Sequence, residues 1–265
     1  MVTFNAALLL KSWMAIMWPF LRILAMLAAD PVLGNTAIPV RVKIGLAGFL
    51  SLLLVPILPV PPFVDPGSPE GLLLMAQQIL IGLAMGLSVR IVFVALEMAG
   101  GLIGLQMGLG FATFFDPQNG TQIPVIAQFL ELIGILLFLS VNGHYLVLEA
   151  LSQSFTVWPI GPSHFYFGGI QVLLKWSSVM FSIGLKIAMP AIAALLVANI
   201  ALGVISKAAP QLNLFAIGFP ITLALGFAVL GLTLPYLYPL LHPLFKEVAG
   251  IMMAIAHMTT AKGGV

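Results

Sequence analysis

Long apolar stretches dominate the chain, and polar residues are mostly confined to the short segments between them. A helix that crosses the roughly 30 Å hydrocarbon core of a bilayer needs about 20 mostly apolar residues. Six stretches approach this length, so the pattern predicts an all-α integral membrane protein. The tail 244–265 is mildly amphipathic and is predicted to form a surface helix. The approximate bounds of the six stretches are 7–29, 42–60, 71–96, 123–141, 169–205 and 213–241.

Charged residues interrupt three of these stretches, in pairs whose spacing places both members on one helical face. The pairs are Lys11 with Arg22, Arg90 with Glu97, and Lys175 with Lys186. A charge in hydrocarbon is costly and normally faces protein or water. Two interpretations stay open: the side chains snorkel to the bilayer surface near a helix end, or these faces contact other subunits or an aqueous path. The second makes Arg22, Arg90, Glu97, Lys175 and Lys186 candidates for a subunit interface.

Prolines lie inside or beside the same stretches. Each removes a backbone N–H, so it is expected to kink or end a helix, and the carbonyl it frees needs a partner from protein or water. The stretch 169–205 is too long for one crossing, and Pro190 divides it. Two short helices, one kinked helix and a hairpin all fit, and the same holds for 213–241. The prolines are Pro19, Pro56, Pro190, Pro220, Pro235 and Pro239.

Glycines recur every four residues at Gly82 and Gly86, and again at Gly100, Gly104 and Gly108. On a helix each series forms a stripe without side chains, which lets another helix backbone approach closely. Packing within the chain and packing against another subunit both explain such a stripe. We therefore add Gly100 and Gly104 to the interface candidates.

The composition favours a membrane protein over other classes. Only 7% of the residues are charged, against roughly 25% in an average soluble domain. The ten basic residues are scattered, so no patch suits nucleic acid. The chain has no cysteine, which excludes disulfides and thiol catalysis. Its four histidines lack metal-ligand spacing, and no nucleophile elbow or phosphate loop is present. We expect no enzyme activity, metal or cofactor, and we expect residues 5–29 to stay in the mature protein.

The stretch Gly108–Gly120 is apolar and aromatic, yet it contains the turn signals Asp116-Pro117 and Asn119-Gly120. A loop of this kind between two hydrophobic helices needs a place to bury its rings. It either folds onto its own bundle or lies in a cavity or pore, where packed Phe and Met side chains exclude water and block ions. Met98 and Met107 just upstream would supply flexible apolar filler.

Several motifs in a fixed order give the chain a resemblance to a known family. Over roughly residues 10–245 it is similar to the FliR/SctT family of type III secretion export-gate proteins, and to the flagellar branch in particular. The Pro-Gln-Leu-Asn-Leu-Phe run is the most specific of these motifs. They are Gly104–Gly108, Phe111–Pro117, Asn142–His144, Pro210–Phe215 and Gly218–Pro220.

The resemblance implies a part in a protein channel. Such proteins join FliP and FliQ in a hetero-oligomeric complex in the inner membrane, at the flagellar basal body, with FlhB and FlhA nearby. The complex passes unfolded flagellar subunits. The implied architecture has kinked helices and helical hairpins: a FliP-like part over 1–165, a FliQ-like hairpin over 166–245 and a tail over 246–265. An injectisome counterpart that exports virulence effectors stays open, as does a small-solute secondary transporter, which also uses broken helices.

The resemblance also implies roles for particular residues. The aromatic loop would be a plug inside the channel, with Phe111, Phe114 and Phe115 as its sealing side chains and Asp116-Pro117 as its turn. The motif Pro210, Gln211, Asn213 and Phe215 would lie at the bend of the hairpin and joins the interface candidates. The expected plug residues are Gln106, Met107, Gly108, Leu109, Gly110, Phe111, Ala112, Thr113, Phe114, Phe115, Asp116 and Pro117.

Overall fold

The computed structural model describes residues 6–59, 63–110, 124–161, 168–209 and 214–258. These residues form an all-α structure, which confirms the predicted fold class. Residues 111–117 of the expected plug and residues 210–213 of the Pro-Gln-Leu-Asn run lie outside the described residues. The helices are α1 (Ala6–Ala29), α2 (Val40–Leu54), α3 (Pro69–Gln106), α4 (Val125–Ser140), α5 (Gly143–Val157), α6 (Gly168–Ala208) and α7 (Leu214–Met258).

Among the described residues, four helices are long and apolar enough to cross a bilayer. They are α1 over Ser12–Ala29, the whole of α3, the whole of α6, and α7 over Ile217–Ala256. The pair α4 and α5 would make a fifth span, bent by 68° at a short break. Asn142 forms that break with φ 56°, a left-handed conformation that asparagine tolerates. The six predicted stretches thus correspond to helices, but α2, with 15 residues, falls short of a span.

Most of the prolines named above lie inside continuous helices. Pro190 lies inside the single helix α6, so neither a hairpin nor two short helices form there. Pro220, Pro235, Pro239 and Pro243 all lie inside α7. Each proline removes one hydrogen bond, and helices of 41 and 45 residues keep most of theirs. Only Pro56 of the predicted breakers lies past a helix end.

The helix expected over 244–265 is not a separate element within the described residues, because it is the last part of α7. Helix α7 continues without a break to Met258, and Leu244, Val248, Met252 and Ile255 on it are buried. These four residues recur at helical spacing, which marks one apolar face. Residues 244–258 therefore continue α7 and bury one apolar face.

The chain divides into two compact units. Unit 1 comprises Met1–Ile91, Asn142–Ser177 and Phe245–Val265, and unit 2 comprises Val92–Val141 and Ser178–Leu244. Helices α3, α6 and α7 therefore contribute to both.

Helix α3 meets its neighbours at positions that lack side chains. In unit 1, a Cβ atom on Gly86 would lie 2.5 Å from the Met26 carbonyl oxygen of α1, and one on Gly82 would overlap the Arg22 carbonyl oxygen. In unit 2, a Cβ atom on Gly100 would overlap the backbone of Ala127 in α4. Gly82, Gly86 and Gly100 thus pack within the chain, which is the first of the two explanations offered above.

Helices α6 and α7 form an antiparallel hairpin. In unit 2, Ile187 of α6 and Leu237 of α7 line one cavity. In unit 1, Ile170 and Ile255 line another. Both pairs are nearly equidistant from the connection between the helices, as a hairpin requires. Trp176 also ties α6 to α3 in unit 1, because its Nε1 donates to the Ser88 carbonyl at 2.8 Å.

A buried aspartate forms the turn after α1. Asp30 is buried, and its Oδ1 accepts hydrogen bonds from the backbone N–H groups of Val32 at 2.8 Å and Leu33 at 2.7 Å. Burial raises the pKa of the Asp30 carboxyl above its ordinary value, and the two backbone hydrogen bonds oppose that rise. The turn leads into α2, where Lys43 Nζ donates to the Gly34 carbonyl at 2.7 Å.

Candidate functional site

The expected plug begins at a well-defined helix end. Gly108 follows α3 with φ 83°, a conformation open to glycine because it has no Cβ. Its N–H donates to the Leu105 carbonyl at 3.1 Å, and the N–H of Leu109 donates to the Gly104 carbonyl at 3.0 Å. These two bonds and the left-handed glycine make a Schellman motif, which ends a helix sharply. The chain therefore leaves α3 in a direction fixed by Gly108.

Helix α7 contacts Met107, the residue just before Gly108. Met107 is fully buried, and its carbonyl accepts a hydrogen bond from Thr222 Oγ1 at 3.3 Å. Its side chain lies against Gly226, where an added Cβ atom would be 2.5 Å from Met107 Cγ. The position of Met107 thus depends on the absence of a side chain at residue 226.

The chain returns from the loop beside the place where it left. Pro124 precedes α4, and its Cβ atom would lie 3.9 Å from a Cβ atom placed on Gly104. The overlap of Gly100 with Ala127 one turn further on holds α4 against α3. The two ends of the segment between Leu109 and Pro124 are therefore adjacent and both rest on α3.

The structure places part of the expected plug. Gln106, Gly108, Leu109 and Gly110 are half-buried at this helix end, beside the fully buried Met107. Phe111, Ala112, Thr113, Phe114, Phe115, Asp116 and Pro117 lie outside the described residues. The contacts that hold the loop ends are apolar side chains, one hydroxyl and backbone groups.

Within the described residues, the hydrogen-bond partners of Arg22 all lie in unit 1. It is fully buried, and its Nε donates to Gln78 Oε1 at 2.8 Å. Its Nη1 donates to the carbonyl and Oγ of Ser154 at 3.0 and 3.1 Å, and its Nη2 donates to the Trp158 carbonyl at 3.1 Å. The guanidinium carbon also lies 4.2 Å from the centre of the Phe155 ring.

This arrangement explains how a cation is tolerated in an apolar core. The carbonyls of Ser154 and Trp158 lie at the C-terminal end of α5, where the helix dipole is negative. The face of Phe155 adds a cation–π contact. Sequence reasoning selected Arg22 but missed these partners, because α5 is too polar to be noticed among the apolar stretches.

The other interface candidates are more accessible. Arg90 and Lys186 are exposed and Glu97 is half-buried; none of the three makes an ion pair or a side-chain hydrogen bond with the part of the chain that the structure describes. Lys175 is exposed as well. Gly100 and Gly104 lie on α3 beside Ala127 and Pro124, where the chain returns from the loop. Pro210, Gln211 and Asn213 lie outside the described residues, and Phe215 lies in the first turn of α7, with its side chain outside the described part.

Comparison with known proteins gives matches over most of the chain. Residues 13–248 match the profile of the family described as "Bacterial export proteins, family 1". The chain is 43% identical over 258 residues to the "Flagellar biosynthetic protein FliR" of Pectobacterium carotovorum subsp. carotovorum, covering 96% of this chain and 97% of that protein. It is 40% identical to the protein of that name from Escherichia coli K12, covering 92% and 94%, and 31% identical to that of Bacillus subtilis 168, covering 86% and 88%.

Replacing Gly108 by alanine should destabilise the end of α3 from which the loop starts. A left-handed alanine costs about 1–2 kcal/mol, so Gly108→Ala should lower the free energy of unfolding in detergent by about that amount. Gly101→Ala is the matched control: Gly101 lies in α3 with nothing within 4 Å of an added Cβ. The control should leave stability unchanged or raise it by up to about 1 kcal/mol, since alanine favours a helix. Equal effects in thermal unfolding would contradict the role assigned to Gly108.

Removing the guanidinium of Arg22 should destabilise unit 1 strongly. Arg22→Met removes the guanidinium that donates to buried acceptors of Gln78, Ser154 and Trp158, so we expect a loss of about 2–4 kcal/mol. Arg22→Lys should lose less, because an ammonium keeps the charge but cannot reach every acceptor. Arg41→Met, at an exposed position of α2, should change stability by less than about 0.5 kcal/mol. A thermal unfolding midpoint for Arg22→Met equal to that of Arg41→Met would refute this account.

Proposed function

The chain belongs to the bacterial export proteins of family 1, and we propose that it is the FliR-type subunit of the flagellar type III export gate. The observation that carries this proposal is the match to proteins named "Flagellar biosynthetic protein FliR", which extends over most of both chains. The same names favour the flagellar branch over the injectisome counterpart. The four apolar helices of membrane-spanning length agree with a place in the bacterial inner membrane, at the flagellar basal body.

In this proposal the chain is one part of a conduit and catalyses no reaction. It joins FliP and FliQ in a hetero-oligomeric core complex, with FlhB and FlhA as neighbours, and the complex passes unfolded flagellar subunits. The exposed Arg90 and Lys186 support it, because a charge without a partner on an apolar helix needs protein or water beside it. The α6–α7 hairpin supports a FliQ-like part that starts near residue 166, preceded by a FliP-like part over 1–165.

We further propose that residues 106–117 plug the channel, with Phe111, Phe114 and Phe115 as the seal. Two features of the loop support this. Its ends are held side by side on α3 by Gly104, Met107 and Pro124, so the placement of α3 and α4 does not depend on the residues between them. Its composition is aromatic and apolar, which favours exclusion of water from a constriction.

Co-purification tests the function directly. A tag on this chain, expressed from its own chromosomal locus, should recover two further small membrane proteins in mild detergent, identified by mass spectrometry as FliP and FliQ. Deletion of the gene should abolish secretion of hook and filament proteins, and a plasmid copy should restore it. Recovery of the chain alone, in a monodisperse form that binds a small solute, would instead indicate a transporter.

Loss of the aromatic loop should open the channel to ions. Deleting residues 110–116 should leave assembly with FliP and FliQ intact but raise the membrane conductance, because no side chains remain to exclude water. Replacing the same seven residues by Gly and Ser should have the same effect at unchanged length. The control Phe111→Leu/Phe114→Leu/Phe115→Leu keeps apolar bulk and should keep the seal. Unchanged conductance in assembled complexes that carry the deletion would rule out the plug.

A further inference from the structure

Helices α1 and α3 lie parallel and in close contact in unit 1. An added Cβ atom on Gly82 of α3 would overlap the Arg22 carbonyl oxygen of α1. One turn further along both helices, a Cβ atom on Gly86 would lie 2.5 Å from the Met26 carbonyl oxygen. These equal steps in the same direction define the register of the two helices. Extended one turn back, the register places Gln78 of α3 beside the turn of α1 that ends at Arg22.

The polar side chains at this contact are enclosed. Trp18, Arg22 and Gln78 have no exposed surface. Arg22 Nε donates to Gln78 Oε1 at 2.8 Å, so the amide oxygen of Gln78 faces the guanidinium and its Nε2 points elsewhere. Trp18 precedes Arg22 by one turn of α1, so the two side chains leave the same face of that helix. The three side chains therefore share one small region inside unit 1.

Several N–H donors in this region have no acceptor among the described residues. Two of them are Trp18 Nε1 and Gln78 Nε2, which are both fully buried. A third belongs to Arg22, because its four hydrogen bonds leave one N–H of Nη2 over. Buried donors are rarely left without an acceptor, since each would lose its hydrogen bond to water. The region therefore favours an acceptor that several donors can share.

The same region carries a net positive charge. Arg22 makes no ion pair with the described residues, and its acceptors are an amide, a hydroxyl and two backbone carbonyls, all of them neutral. The Phe155 ring covers one face of the guanidinium, which leaves its N–H edge as the place for a further ligand. Neutral dipoles lower the energy of a buried cation, but only a negative charge cancels its own.

We propose that Trp18, Arg22 and Gln78 form an internal binding site for one small monovalent anion such as chloride. The three donors described above would bond it, and the guanidinium would supply the opposite charge. Because all three side chains are fully buried, the site excludes lipid headgroups and other anions of many atoms. A water molecule fits less well, since it would accept the hydrogen bonds but leave the charge in place. The inference concerns the interior of unit 1 and does not depend on the proposed function.

Halide-dependent stability tests the site. An anion that binds only the folded chain raises the unfolding midpoint with the logarithm of its concentration. In detergent, replacing gluconate, which is too large for an enclosed site, by chloride should raise the midpoint by about 3 °C for each tenfold increase in chloride. The ionic strength is held constant, so that general screening does not change. Equal midpoints in gluconate and in chloride would refute the inference.

Substitutions of the donors locate the effect. Trp18→Phe keeps an aromatic ring but removes one donor, so it should reduce the chloride-dependent shift at least twofold. Gln78→Glu places a fixed carboxylate beside Arg22 and should abolish the shift. Trp176→Phe is the matched control, because the Nε1 of this buried tryptophan already donates to the Ser88 carbonyl; it should keep the full shift. A full shift in both Trp18→Phe and Gln78→Glu would place the anion elsewhere and contradict the proposal.

Anomalous diffraction identifies the occupant without relying on any variant. Crystals of the native chain, alone or in its complex, grown in bromide should show an anomalous peak within hydrogen-bonding distance of Trp18 Nε1 and Gln78 Nε2. Bromide is the probe because it resembles chloride in charge and size. An ordered water at this position, with no anomalous signal, would overturn the inference and leave the proposed function untouched.

Discussion

The backbone of α3 can be approached closely only where its side chains are missing, and several helices are placed by that constraint. In unit 1, α1 lies against Gly82 and Gly86, and in unit 2, α4 lies against Gly100. For α6 the glycine is on the approaching helix: an added Cβ atom on Gly184 of α6 would lie 2.9 Å from the Ala95 carbonyl oxygen of α3. Dispersion and backbone contact drive helix association in hydrocarbon, where the hydrophobic effect offers no gain, so these bare positions decide which faces meet.

The sequence predicts the fold class and the positions of the apolar helices well, because both follow from local hydrophobicity. It fails where tertiary contact decides. Helix α5 is too polar to be noticed by itself, yet the carbonyls at its end hold Arg22. Pro190 and Pro235 predict breaks from local hydrogen bonding alone, but neighbouring buried residues such as Ala188 and Leu237 keep the helices continuous. For the loop, the aromatic composition predicts a seal. The contacts of Thr222 and Gly226 with Met107 cannot be predicted in the same way, because the sequence shows only two small residues four positions apart.

Charges in the apolar helices are handled in two different ways. Arg22 is satisfied within the chain, by carbonyls, an amide, a hydroxyl and an aromatic ring, and it contributes to the stability of unit 1. Lys186 and Arg90 are displayed on exposed helix faces without partners among the described residues. Arg22 thus has its partners within the chain, whereas Lys186 and Arg90 are accessible to groups outside it.

The adjacency of Gly104 and Pro124 has a consequence for how such a chain can diversify. Because the segment between them starts and ends at one point on α3, its length is decoupled from the spacing of the helices. Doubling the length of a flexible loop adds only about 0.6 kcal/mol of closure entropy. Insertions and deletions there can therefore accumulate at little thermodynamic penalty while the surrounding helices stay unchanged.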